Sequence, residues 1–278
     1  MSAAGAGPES IAILRPPARV GIAIMGIFPN LEGFLLVIGN PRSGSTMLGA
    51  VLDAHPAMVV ANETLASSTL WCDLDRGAIL DGIRENAACA AANGRLSEGY
   101  SYQIGPGPDA KRHVRVAGDK IWSPATLLLH GDHGLIPSLE DRVGVPVRII
   151  HAIRNPFDTI ATMHRRSGAS LADRTRWYFM HCEAAAAIAA RLPHDGFIES
   201  HHDDLLATPA AEIERLCTFL GLPLDHEHVA AAMRVLFPRP RRTGAAVPWS
   251  DTDTAAVRSG IARFPSLTRY AATASSAR

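Results

Sequence analysis

Phe34-Leu35-Leu36-Val37-Ile38-Gly39, Asn40-Pro41-Arg42-Ser43-Gly44-Ser45 and Thr46-Met47-Leu48-Gly49-Ala50-Val51-Leu52-Asp53-Ala54-His55 follow one another without a break, and their reading decides the fold. The first part is a continuous apolar run, which suits a strand buried on both faces, as in a parallel sheet. In the third part the apolar side chains Met47, Leu48, Val51 and Leu52 fall on one helical face. His55-Pro56 ends that helix, because a residue before proline avoids the α region. The middle part has the spacing G-x-x-x-x-G-x-[ST] from Gly39 to Thr46. A strand, a tight turn and a helix in this order deliver backbone N–H groups and a helix N-terminus to an anion. The lysine of the triphosphate-binding version is absent, and Ser45 stands in its place. Arg42 supplies charge earlier in the loop.

Outward from this stretch, Val114–Gly118 reads as a second strand and Val147–Ile153 as a third. Asn155-Pro156 is an N-cap and first-turn pair that opens a helix to about residue 166. Leu171–Leu192 is a long Ala-rich helix. Thr208-Pro209 reads as another cap pair, opening a helix to Leu220 that Gly221 and Pro223 stop, and a further helix runs from about His226 to Leu236. Strands alternating with helices give an α/β class with a mainly parallel sheet. The expected architecture is a P-loop-containing three-layer fold, its sheet flanked by helices. Residues 1–19, rich in Ala, Gly and Pro, read as a tail, and 20–270 as one domain. Tyr100–Asp109 and Phe237–Trp249 read as loops.

The composition narrows the function. Lys+Arg and Asp+Glu are both 27, so no basic excess points to nucleic acid. The longest apolar candidate for a membrane segment, Val20–Phe28, is far short of the about 20 residues a span needs. No cysteine pair has metal or redox spacing, which predicts buried or half-buried thiols in a reducing, cytoplasmic setting. The run His201-His202-Asp203-Asp204 reads as a strand end leading into a capped turn rather than a metal site, since adjacent residues on a strand face opposite ways. No metal is expected.

Pro41-Arg42-Ser43-Gly44-Ser45-Thr46 followed by His55-Pro56 resembles the phosphosulfate-binding loop of sulfotransferases that use 3′-phosphoadenosine-5′-phosphosulfate (PAPS), in particular the bacterial and tyrosylprotein-sulfotransferase-like branch. Ile153-Arg154-Asn155-Pro156-Phe157-Asp158 with Thr162 resembles the family's 3′-phosphate motif, Thr162 taking a serine position. His202-Asp203-Asp204-Leu205-Leu206, Pro209 and Phe219-Leu220-Gly221 resemble its Y-E-D-L, proline and F-L-G signatures, with His202 and Asp203 as departures. The resemblance implies that Pro41 to Thr46 hold the 5′-phosphosulfate and that Arg154 and Thr162 hold the 3′-phosphate. Arg241 and Arg242, in a late basic loop, would close on the nucleotide, or else form a solvated charge run. Glu63, eight residues past His55, occupies the position of that branch's general base. Lys120, in Gly118-Asp119-Lys120, would contact the leaving group, with Arg42 as the alternative cation.

The reaction so implied moves the sulfuryl group from PAPS, leaving PAP, to a hydroxyl of a small-molecule or carbohydrate acceptor, without obligatory Mg²⁺. Tyr100, Tyr102, Trp122, Trp177 and Tyr178 would line the acceptor pocket or pack in the core. Two other readings stay open: a P-loop small-molecule kinase, and a catalytically inactive nucleotide-binding protein of the same fold.

Overall fold

The computed structural model describes residues 27–64, 73–97, 100–236 and 241–272. The expected tail, Cys72 and Pro238-Arg239-Pro240 lie outside them. In chain order the elements are β1 (Gly33–Gly39), α1 (Ser45–Asp53), β2 (Met58–Asn62), α2 (Arg76–Asn93), β3 (Arg95–Ser97), β4 (Tyr100–Tyr102), β5 (Val116–Lys120), α3 (Ser123–Gly131), α4 (Leu135–Val143), β6 (Val147–Ile153), α5 (Pro156–Ser167), α6 (Leu171–Ala189), β7 (Phe197–His201), α7 (His202–Ala207), α8 (Pro209–Phe219), α9 (His226–Val235) and α10 (Asp251–Ala262).

The main sheet runs β2-β5-β1-β6-β7, with every pairing parallel. β1 is its centre and is buried along its whole length. Alternate side chains serve opposite faces. Phe34, Leu36 and Ile38 join a cluster with residues of α2, α3, α4 and α6, while Leu35 and Val37 join one with α1, α8 and α9. Helices therefore cover both faces, as an all-parallel sheet requires. A third cluster, around Phe157, Ile160, Tyr178, Val257 and Ile261, ties α5 and α6 to α10. No helix among the described residues is long and apolar enough to cross a membrane.

The structure corrects the sequence reading in places. The second strand expected at Val114–Gly118 begins at Val116 and ends at Lys120. Arg115 is drawn off the ladder: its carbonyl accepts from Glu32 N–H and its guanidinium holds the Glu32 carboxylate at 2.5 and 2.9 Å. The strand β2 was not foreseen, and the expected loop Tyr100–Asp109 opens with the hairpin strand β4. Asn155 does cap α5, accepting from Phe157 N–H at 3.0 Å, but Thr208 does not cap α8 through its side chain. Its hydroxyl instead donates back to the Asp204 carbonyl of α7 at 3.3 Å. Cys182 and Cys217 are buried as expected, whereas Cys89 is exposed on α2.

Candidate active site

Because the strands are parallel, all their C-terminal ends meet at one edge, where α/β folds bind ligands. β1 leads there into the phosphate loop. Gly44 caps α1 with φ +90°, without a side-chain cap and without an acidic residue in the first turn. The first-turn amides of α1 have no upstream carbonyl to bond, and the helix dipole adds partial positive charge there. Such an end suits an anion, which supplies the missing acceptors. Ser43 N–H closes the turn on Asn40 O at 3.1 Å, and Asn40 Nδ2 anchors it to the Tyr178 carbonyl of α6 at 3.3 Å. Ser43 is buried and its hydroxyl has no hydrogen-bond partner. Pro41, Ser45 and Thr46 are half-buried at the same rim. A side chain on Gly44 would collide with His202, whose ring lies 2.6 Å from the place a Cβ would take. Burial, helped by Arg154 and Arg242, pushes the His202 pKa down to about 4, so the ring behind the loop is neutral at ordinary pH.

Arg154 is the residue after β6, and its guanidinium lies between the phosphate loop and the late basic loop. Nη1 donates to the Arg42 carbonyl at 3.3 Å, and Nη2 donates to the Arg241 carbonyl at 2.7 Å and to Thr243 Oγ1 at 3.4 Å. Nε is buried with no partner, a donor available to a bound anion. Thr162 and Thr243 stand 2.9 Å apart, oxygen to oxygen, and each reaches the Asp158 carbonyl, at 2.7 and 2.8 Å. The structure thus brings Arg154 and Thr162 to the segment 241–243, which meets Arg154 through the Arg241 carbonyl and Thr162 through the Thr243 hydroxyl. Arg242 pairs with acidic side chains beside them: its Nη1 lies 3.2 Å from Asp203 Oδ1 and 3.6 Å from Asp158 Oδ2.

On the opposite side of β1, Glu63 and Lys120 meet directly. Lys120 Nζ forms an ion pair with Glu63 Oε1, and Glu63 N–H donates to the Lys120 carbonyl at 2.8 Å. The lysine side chain is 5% exposed and the glutamate 41%, so a buried ammonium holds a carboxylate that faces solvent. Glu63 has φ +62° and Arg42 φ +72°. For residues other than glycine this costs of order 1–3 kcal/mol, and such strain concentrates at functional sites. β2 is an edge strand, and Asn86 of α2 finishes its end: Oδ1 accepts from Asn62 N–H at 2.8 Å and Nδ2 donates to Asn62 O at 3.3 Å. That fixes the peptide from which Glu63 departs.

Sequence reasoning missed the support under this pair. Asp53, at the end of α1, is buried with Arg95 at 2.9 Å and Lys111 at 3.2 Å. Arg95 also donates to the Val60 and Ala61 carbonyls of β2, and Lys111 to Met58 O at 2.7 Å. One carboxylate and two cations thus pin β2 and the β3–β4 hairpin to α1, from residues too far apart in sequence to form a motif. His55 is structural: Ala57 N–H donates to Nδ1 and Nε2 faces Pro223 O, both at 3.0 Å. His55, Cys217 and His228 cluster within 4.8 Å in the core, yet both His55 nitrogens are already engaged. Tyr178 is core, with its hydroxyl donating to Arg154 O at 3.2 Å.

Residues 147–226 match the model of a family described as the sulfotransferase family. This segment runs from β6 through Arg154, Thr162 and His202 to the start of α9. No curated protein matches the chain. Among solved structures, a mouse sulfotransferase complexed with PAP superposes with a TM-score of 0.50 and 11% identity, over 88% of this chain and 92% of its own. A sulfotransferase from Mycobacterium avium gives 0.49 and 14%, over 84% and 77%. The sulfotransferase domain of the Synechococcus PCC 7002 olefin synthase gives 0.48 and 18%, over 80% and 82%. The fold is that of the sulfotransferases, and the stretch from β6 to α9 carries that family's sequence pattern.

Proposed function

We propose that this protein is a sulfotransferase that moves the sulfuryl group of PAPS to a hydroxyl of a small-molecule or carbohydrate acceptor. The observation that carries the reading is the order of groups along the sheet edge. From β2 to β6 it runs Glu63, Lys120, the phosphate loop, Arg154. Along a transfer complex the groups to be served run acceptor oxygen, the leaving oxygen that bridges sulfur and phosphorus, 5′-phosphate, 3′-phosphate, in the same sequence.

The donor side of the site is anion hardware. The α1 amides and Arg42 suit the phosphosulfate, and Arg154 suits a phosphate through charge-assisted bonds from a planar fork. Thr162 and Thr243 add hydroxyls. At the other end Glu63 takes the proton of the acceptor hydroxyl. The acceptor oxygen forms its bond to sulfur as the bond from sulfur to the phosphate oxygen breaks, and the electron pair departs on that oxygen. Lys120, the loop amides and Arg42 present positive charge there, the electrostatic contribution that dominates such transfers.

Thermal unfolding with PAP, ADP and ATP–Mg²⁺ side by side tests the reading. A ligand at 100 times its Kd adds about 2.7 kcal/mol, a shift of several degrees for a chain of this size. A metal-independent shift with PAP, larger than with ADP and lost in Arg154→Ala, is the expected result. A shift confined to ATP–Mg²⁺ would overturn it in favour of a kinase.

A further inference from the structure

Gly244 is gripped from two sides. Its N–H donates to Asp158 Oδ1 at 2.7 Å, and its carbonyl accepts from Trp249 Nε1 at 2.9 Å. The backbone lies so close to α5 that a Cβ on Gly244 would sit 3.1 Å from the Phe157 carbonyl carbon. The Trp249 ring meets Phe157 edge-on with centroids 5.1 Å apart. Asp158 is 3% exposed, and its backbone carbonyl receives the Thr243 hydroxyl at 2.8 Å. Burial raises its carboxyl pKa, a cost that the Gly244 N–H, Arg154 and Arg242 oppose. Residue 244 directly follows the segment whose Arg241 carbonyl and Thr243 hydroxyl receive Arg154. Downstream of the grip, Ser250 caps α10, accepting from Asp253 N–H at 3.0 Å, and α10 is rooted in the core through Val257 and Ile261.

We infer that Asp158 is a positioning residue: through Gly244 it seats residues 241–243 on Arg154 and Thr162, and so sets the selectivity for a nucleotide bearing a 3′-phosphate over one without it. The inference rests on the PAPS reading above. The buried carboxylate acts on the nucleotide's seat through the loop it fastens, and its charge also lies beside Arg154 and Arg242. The bond to Gly244 is made by one acceptor oxygen, Oδ1, so an amide in its place keeps that grip and a methyl loses it. Trp249 is the second half of the fastening and carries no charge.

The experiment is calorimetric titration of the full chain, and of its Asp158→Ala, Asp158→Asn and Trp249→Phe variants, with PAP and with ADP. In the unaltered protein PAP is expected to bind at least ~10-fold tighter than ADP, since hydrogen bonds to charged groups are worth about 1.5–3 kcal/mol. Asp158→Ala is expected to lose ~10-fold or more of PAP affinity while ADP stays within about 3-fold. Asp158→Asn should keep the PAP/ADP ratio, and Trp249→Phe should lower it by about 3-fold, a single neutral hydrogen bond. If Asp158→Ala shows no cooperative melt, Trp249→Phe decides. An unchanged ratio in Asp158→Ala or, failing that, in Trp249→Phe overturns the inference and leaves the PAPS reading standing. Equal binding of PAP and ADP by the unaltered protein removes the PAPS reading and the inference together.

Discussion

The two ends of the active edge are built differently. Around Arg154, side chains and loop carbonyls are laced together: one guanidinium reaches three acceptors on two loops, and two threonines share one carbonyl. Around Glu63 a single ion pair does the work, and the carboxylate is 41% exposed. The difference reflects what each end meets. On the proposed reading a nucleotide with two anionic groups is the same in every turnover, so its seat gains from preorganisation. On the same reading an acceptor oxygen must arrive, lose a proton and leave, so the proposed base, Glu63, stays open to solvent on a rigid strand end.

Breaking the open end should have the largest effect. Glu63→Gln is expected to lower turnover by ~10²–10⁴-fold, the usual worth of a general base, with PAP affinity unchanged by titration. Loss of PAP binding in that variant would erase the division between the two ends. Next, Asp53→Asn leaves Arg95 and Lys111 buried beside a neutral amide. Stranding a buried cation costs about 3–5 kcal/mol, so the melting temperature should fall by roughly 10 °C. Calorimetry at fixed pH reads this directly, and an unchanged melt would show the triad to be dispensable.

Arg154→Ala cuts at the laced end. PAP affinity is expected to fall by ~10–100-fold, the worth of one or two charge-assisted bonds, with ADP affected less. Thr162→Val removes one hydroxyl and should cost PAP only about 2–10-fold.

Acid sharpens the comparison in another way. Burial lowers the pKa of His55, His181, His201, His202 and His228, the His202 value to about 4. Between about pH 6.5, where a free imidazole titrates, and pH 4, the unfolded chain binds protons that the folded chain refuses. Stability therefore falls as pH drops through that window. Asp158, with its raised pKa, opposes the trend. His202→Gln should melt with a shallower dependence on pH, and a slope equal to that of the unaltered protein would sink the assignment.

The phosphate-loop and Arg154 half was legible because its residues are contiguous. Gly39 to Thr46 and Arg154 to Thr162 each lie on one strand–turn–helix, where spacing alone fixes geometry. The expected strand at 114–118 slipped by two residues because its entry is set by Arg115 reaching back to Glu32, a contact between distant segments. β2 was missed because Met58–Asn62 is short and follows a helix-ending His-Pro pair, so nothing local marks it. Glu63 was picked out through resemblance alone. Its strained backbone and its clasp with Lys120 exist only once β2 and β5 pair. Thr208 misled because a hydroxyl before proline reads as a cap, yet here α7 ends one residue earlier and claims it.

Glu63, Lys120, the phosphate loop and Arg154 each sit at or just beyond a strand end, and the strands of the sheet are bound side by side through their backbones. Neighbouring strands lie roughly 4.8 Å apart. The interval from the β2 end to the β6 end spans three such steps, or roughly 14 Å. The sheet is thus a ruler whose graduations are peptide hydrogen bonds. Side-chain substitutions can dull a mark but cannot move one, so on the proposed function this chain can change the acceptors it admits far more readily than the length of the donor it measures.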